Sequence, residues 1–140
     1  MPITLENTSL RLVVAPEVGG AVVRFDSLGK DGPEPIFRPG SEDERDPNRL
    51  GLYPLLPWVN RIGAGGFIWQ GEHYRLAANQ PGEPLPLHGD GWQREWRVRQ
   101  QTPSQVSLEL ESHHQPPFLY RASLVSVSYT HLTLPTIYSV

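Results

Sequence analysis

Two short segments concentrate the side chains able to do chemistry: Pro57-Trp58-Val59-Asn60-Arg61-Ile62 and Leu87-His88-Gly89-Asp90-Gly91-Trp92. Each sets polar, hydrogen-bonding groups in an apolar, Gly/Pro-rich setting. A guanidinium and an imidazole, each near an indole, suit the capture of a neutral polyol. Aromatic faces cover C–H surface while polar groups fix hydroxyls. The expectation is a site for a small-molecule sugar, with Arg61, His88 and Trp92 as candidate substrate-binding residues. Trp92 follows Gly91 in a loop and is the indole expected to stack on a ligand. Trp58 is expected in the core.

Those residues must be positioned by a fold, and the bulk composition limits which. The chain has 140 residues, enough for one domain with a real core. Hydrophobic residues make up 38% and charged residues 19%, which is a globular rather than a disordered balance. The formal net charge is -3, against an electrostatic nucleic-acid binder. There are no cysteines, so disulfides and thiolate metal sites are excluded. Met1-Pro2-Ile3-Thr4-Leu5-Glu6 has neither the basic nor the apolar region of a signal peptide. No apolar run approaches the ~20 residues of a membrane helix. A cytoplasmic protein with no membrane and no nucleic-acid partner is expected.

Fifteen prolines and thirteen glycines argue against long helices and for short strands joined by turns. Leu10–Val14 and Ala21–Phe25 read as an antiparallel pair around Pro16-Glu17-Val18-Gly19-Gly20, the second strand ending at Asp26-Ser27-Leu28-Gly29. Residues 31–51 read as a solvated loop with at most one helical turn. Gly66–Trp69 and His73–Leu76 form an aromatic hairpin with Gly71 in the turn. Residues 77–87 are an extended Pro/Gly/Asn loop that delivers His88. Glu95–Gln100 and Gln105–Glu111 alternate, with Trp96 and Val98 on one face and Val106, Leu108 and Leu110 inward. Gln101–Ser104 joins them, and Tyr120–Leu124 begins another strand. The fold class is therefore all-β, an antiparallel β-sandwich.

Residues 125–140 break this pattern. Ser126–Val140 resembles a peptide produced by reading through library adapter sequence, so residues 1–124 are expected as the natural part and 125–140 as a non-native tail. The competing reading is an ordinary strand, since Val, Tyr, Thr and Ile favour strands.

The ordered set Asn60-Arg61-Ile62, Gly66-Phe67, Gly71, Tyr74-Arg75-Leu76, Asn79 and Leu87-His88-Gly89 resembles the aldose 1-epimerase (galactose mutarotase) family. Pro16–Ala21, Trp92, Trp96 and Pro117-Phe118 fit the same frame, so the resemblance runs over residues 4–124. It implies an isomerase of the galactose mutarotase-like supersandwich fold that interconverts the α and β anomers of a free hexose such as galactose or glucose. One acid and one base open and reclose the ring. It implies no cofactor and no metal. Asn60 and Arg61 match the family's sugar-contacting pair, and His88 a histidine that binds ring hydroxyls. The acid histidine and base glutamate are expected beyond the end of this chain. It would then be about the N-terminal half of the domain, with no catalytic residue of its own and little or no activity. Self-association through exposed strand edges is expected of such a piece.

Blander readings stand beside each residue. Arginine is ordinarily a surface residue and a loop histidine ordinarily bonds backbone. Glu83 and Asp90 flank the site, but lone carboxylates in Pro/Gly loops are usually solvated. His113-His114 precede Pro116-Pro117 and read as a loop with no role. A non-catalytic carbohydrate-binding β-domain is the alternative. A sugar-phosphate mutarotase relative is weaker, with only Arg75 and Arg94 as further cations.

Overall fold

The computed structural model describes residues 1–115, 118–128 and 136–139. They form ten strands in three antiparallel sheets. The first sheet has the order β1-β2-β3-β4, made of Ile3–Glu6, Leu10–Ala15, Ala21–Gly29 and Gly32–Pro35. The second has the order β10-β9-β8-β7, made of Thr136–Ser139, Phe118–Val127, Gln105–Gln115 and Arg97–Gln101. A two-stranded ribbon, β5 (Gly66–Trp69) with β6 (Glu72–Arg75), stands apart.

The alternation of side chains explains how the sheets stack. In β8, Val106, Leu108 and Leu110 point inward as expected, and in β9 Ala122 and Leu124 do the same. They meet Leu5, Leu12, Val14 and Val22 of the first sheet in one core cluster closed by Trp96. The opposite face of β2 and β3 is buried too. Val13, Ala15, Ala21 and Val23 pack with Val18, Leu50 and Tyr53 from the connections. A β-bulge between Val13 and Val14 accompanies this two-sided burial.

Several boundaries differ from the sequence reading. The third strand continues through Asp26, Ser27 and Leu28, because the Asp26 side chain is fully buried and paired with Arg24 at 3.0 Å. β4 carries Pro33 and Pro35, which suit an edge strand because proline offers no donor to a further neighbour. Trp96 is buried but precedes β7, and Val98, opposite Leu108 in the edge strand β7, is 40% exposed. His113 lies in β8, not a loop, where it pairs with Glu111 at 3.2 Å; Pro116 and Pro117 lie outside the described residues. The aromatic hairpin forms where expected, its second arm running Glu72–Arg75 rather than His73–Leu76, with Gln70 (φ 50°) and Gly71 (φ 84°) both left-handed, as a two-residue hairpin turn demands.

β9 runs on to Val127, and Ser126 and Ser128 are buried. Asn7 Nδ2 donates to the Ser128 carbonyl (3.2 Å) and hydroxyl (3.0 Å), and the Ser128 amide donates to the Ser104 carbonyl at 2.7 Å. Tyr129, Thr130 and His131 lie outside the described residues. Among the described residues no helix is long and apolar enough to cross a membrane.

Candidate functional site

The two segments singled out by residue type lie 28 positions apart and meet as a short antiparallel ladder. The His88 amide donates to the Asn60 carbonyl at 2.9 Å, and the Ile62 amide to the Pro86 carbonyl at 3.1 Å. Arg61 faces Leu87 across this ladder. Asn60 (φ 68°) and His88 (φ 59°) both hold left-handed backbone conformations. Asn and His enter that region more readily than most side chains, yet two such residues in contact is a concentration of strain of the kind found at functional sites.

The strain has a local return. The Asn60 amide donates to His88 Nδ1 at 2.8 Å, and the Asn60 side-chain Oδ1 accepts from the Arg61 amide at 2.9 Å. Because Nδ1 is an acceptor, the neutral imidazole carries its proton on Nε2. His88 is thus held as a hydrogen-bond donor. Partial burial, and then the nearby Arg61 charge, push its pKa below the ordinary imidazole value, which favours this neutral tautomer. The sign of the linkage follows. Between the lowered folded value and 6.5 the unfolded chain binds more protons, so stability falls as pH falls through that window and is full above it. Thermal melts between about pH 5 and 8 should show this slope, and His88→Gln should flatten it. A slope unchanged in the variant would refute the lowered His88 value.

Arg61 is half exposed, with its guanidinium fixed by neighbours. Nε donates to Glu83 Oε2 at 2.8 Å, Nη2 donates to the same oxygen, and Nη1 donates to Asn60 Oδ1 at 3.2 Å. The pair shifts both groups, Arg61 upward and Glu83 downward, mainly through this hydrogen bonding. Glu83 is thus committed to Arg61 and is set aside as a candidate base on that geometry.

Trp92 lies beneath the site rather than in it. Its ring is buried and stacked on Tyr53 at 5.6 Å, with His88 edge-on at 6.4 Å. Its Nε1 donates to the Gly89 carbonyl at 3.0 Å. The indole therefore supports the His88 loop from below and presents no free face to a ligand. Trp58 is half-buried against Phe118 at 5.1 Å, and Phe118 reaches Phe67 at 5.5 Å, so an aromatic cluster ties the ribbon to β9.

Two residues that residue type alone underrates organise the loop. Asn79 Nδ2 donates to the carbonyls of Leu87 (2.8 Å) and Gly89 (2.7 Å), and its Oδ1 accepts the Leu87 amide at 2.7 Å. One amide side chain thus clamps the backbone on both sides of His88. Asp90 is buried and accepts from Tyr120 (2.8 Å), Ser112 and Arg94 (3.1 Å). Arg94 is therefore committed to the scaffold. The spacing of Asn79 from Leu87-His88-Gly89 was visible, but nothing in the sequence shows which carbonyls it meets. Among the described residues no three His, Asp or Glu side chains gather as a metal site.

The family pattern described as aldose 1-epimerase matches residues 1–130. The chain belongs to the aldose 1-epimerase family. The uncharacterized Escherichia coli K12 protein YphB is 33% identical over 134 residues, 96% of this chain and 42% of that protein. A crystal structure from Escherichia coli K12 bearing the aldose 1-epimerase name is 30% identical with a TM-score of 0.78, covering 91% of this chain and 42% of that one. The GalM/aldose epimerase homologue from C. elegans shares the fold at 21% identity and a TM-score of 0.68, covering 89% of this chain and 40% of the other. The chain thus spans about two fifths of the length of these relatives. Its antiparallel all-β sheets are those of the galactose mutarotase-like fold.

Proposed function

We propose that this chain forms the sugar-binding side of a mutarotase pocket and holds a free hexose through Asn60, Arg61 and His88. The observation that carries the reading is the 2.8 Å bond from the Asn60 amide to His88 Nδ1. It turns Nε2–H outward from the ladder's own bonding and joins the imidazole to the residue that also orients Arg61. Neutral donors of this kind suit hydroxyls and a ring oxygen, which need hydrogen bonds but no counter-charge. Trp92 contributes by holding the His88 loop, and the aromatic cluster around Trp58 supplies the neighbouring apolar surface.

Proton transfer is assigned to none of these residues. Glu83 is held by Arg61, and Asp90 is buried under three donors. Ring opening needs both an acid and a base at the anomeric centre. The same observation favours the second reading, a carbohydrate-binding module without chemistry. Both share one expectation, that this chain binds sugar without accelerating mutarotation.

Titration of the chain with galactose and glucose, followed by NMR, should give a weak complex, with Kd on the order of millimolar. Arg61→Ala should weaken it about tenfold, the scale of one hydrogen bond from a charged group. Polarimetry with fresh α-galactose should match the buffer rate. Absence of binding to either hexose overturns the proposal. A robust, His88-dependent rate enhancement overturns the assignment of binding without catalysis.

A further inference from the structure

Glu83 stands outside the binding set above, yet its surroundings are those of an anchor rather than of a solvated loop carboxylate. It sits in the turn Gln80-Pro81-Gly82-Glu83, closed by a bridge between Gln80 and Glu83 and by the Glu83 amide donating to the Gln80 carbonyl at 3.1 Å. Gly82 takes the left-handed conformation (φ 78°), Pro81 lies within the turn and Pro84 follows it. Both prolines restrict the backbone, so the carboxylate projects from a stiff base. Its Oε1 accepts the Leu85 amide at 3.3 Å. Its side chain is only 14% exposed, whereas that of Arg61 is 50% exposed. An ordinary surface ion pair leaves both partners in water and contributes little. Here the acid is held and the base is the part that would otherwise move.

The hydrogen-bond count gives the arrangement its direction. A guanidinium has five N–H groups in a fixed plane. Glu83 takes Nε–H and one Nη2–H, and Asn60 Oδ1 takes one Nη1–H. Two N–H groups remain for a ligand, in a plane set from both sides. A free arginine would lose its rotamer freedom on binding a neutral sugar, which offers no charge in return.

We propose that Glu83 is the positioning residue of the site, orienting the Arg61 guanidinium before sugar arrives so that its two remaining N–H groups stand beside His88. This rests on the sugar-binding reading above, and the test separates the two. Glu83→Ala, Glu83→Gln and the parent chain are compared by hexose titration and, without sugar, by the NMR titration of the His88 ring. Glu83→Ala should weaken galactose binding about tenfold. Glu83→Gln, which keeps an acceptor but not the charge, should recover part of that loss. The His88 midpoint should be higher in Glu83→Ala than in Glu83→Gln, because both lack the carboxylate charge and only the alanine variant lets Arg61, one cause of the lowered value, leave its neighbourhood. A purely structural role for the turn would not separate the two midpoints. Thermal melts within a few degrees of the parent confirm that each variant is folded.

Equal midpoints in Glu83→Ala and Glu83→Gln overturn the inference, because Arg61 then keeps its place without the acceptor. Separated midpoints with equal hexose affinity overturn the role of that orientation in sugar binding. If the parent chain binds no hexose, the functional reading fails by itself and the midpoint still decides whether Glu83 positions Arg61.

Discussion

Gly89→Ala is expected to disrupt the site more than any substitution of a sugar-contacting side chain. Gly89 has φ +64°, and a Cβ there would collide with the carbonyl oxygen and carbon of Leu56 and with Pro57 Cδ. Gly89 faces Leu56 in a parallel bridge, and its carbonyl accepts from both Trp92 Nε1 and Asn79 Nδ2. The collision is with main chain, which cannot rotate aside. Left-handed strain adds roughly 1–2 kcal/mol and overpacking roughly 1–3 kcal/mol, for a loss of about 3 kcal/mol and a fall in Tm of about 10 °C. The segment carrying Asn60 and Arg61 would be pushed from the one carrying His88, so hexose binding should vanish as well. Gly82→Ala is the matched control. Gly82 also has positive φ, but a Cβ there meets nothing within 4 Å. It should cost only the conformational part, about 1 kcal/mol. Equal melting temperatures for the two variants would show that the close approach of residues 56 and 89 does not bear on stability.

Asp90→Ala is the second large effect. The buried carboxylate collects hydrogen bonds from β8 through Ser112, from β9 through Tyr120, and from Arg94. Burial, followed by the bond to Asp90, raises the Tyr120 phenol pKa far above its ordinary value, so the hydroxyl remains a donor throughout the accessible pH range. Removing the carboxylate takes away the acceptor that Ser112, Tyr120 and Arg94 share, at a cost of about 3 kcal/mol. Tyr120→Phe removes one donor and keeps the ring, so about 1 kcal/mol is expected. Chemical denaturation of the two single variants and the double variant tests the network. Interacting residues should give a double-variant loss clearly smaller than the sum. Strict additivity would mean that the two groups stabilise the fold independently.

Periodicity made most of the fold legible. β2, the start of β3, the aromatic ribbon and the inward set Val106, Leu108 and Leu110 were readable because one-sided burial imprints a period of two. Reading failed where burial was two-sided or where a polar residue had an unseen partner. Asp26 looks like a strand terminator until Arg24 is placed beside it, and β4 is hidden by the prolines that fit it to an edge. β1 was missed because four residues with one buried side chain leave too short a pattern. At the site, residue types pointed to Asn60, Arg61 and His88 as a group, and the structure brings these three together. They did not reveal that Trp92 lies under the loop, because a tryptophan after glycine reads alike whether it supports a binding loop or lines it. Nor could they show Asn79 and Asp90 as organisers, since their partners are mostly backbone carbonyls or distant hydroxyls.

The ladder between residues 60–62 and 86–88 is written almost wholly in main-chain atoms and in the side chains of Asn79 and of His88 itself. That division of labour separates two kinds of mutational freedom. Positions such as Leu85 can exchange side chains without touching a bond that sets the His88 geometry, whereas Asn79 and Gly89 cannot. A library that varies the rim and leaves those two alone should therefore explore new ligand preferences on an unaltered frame.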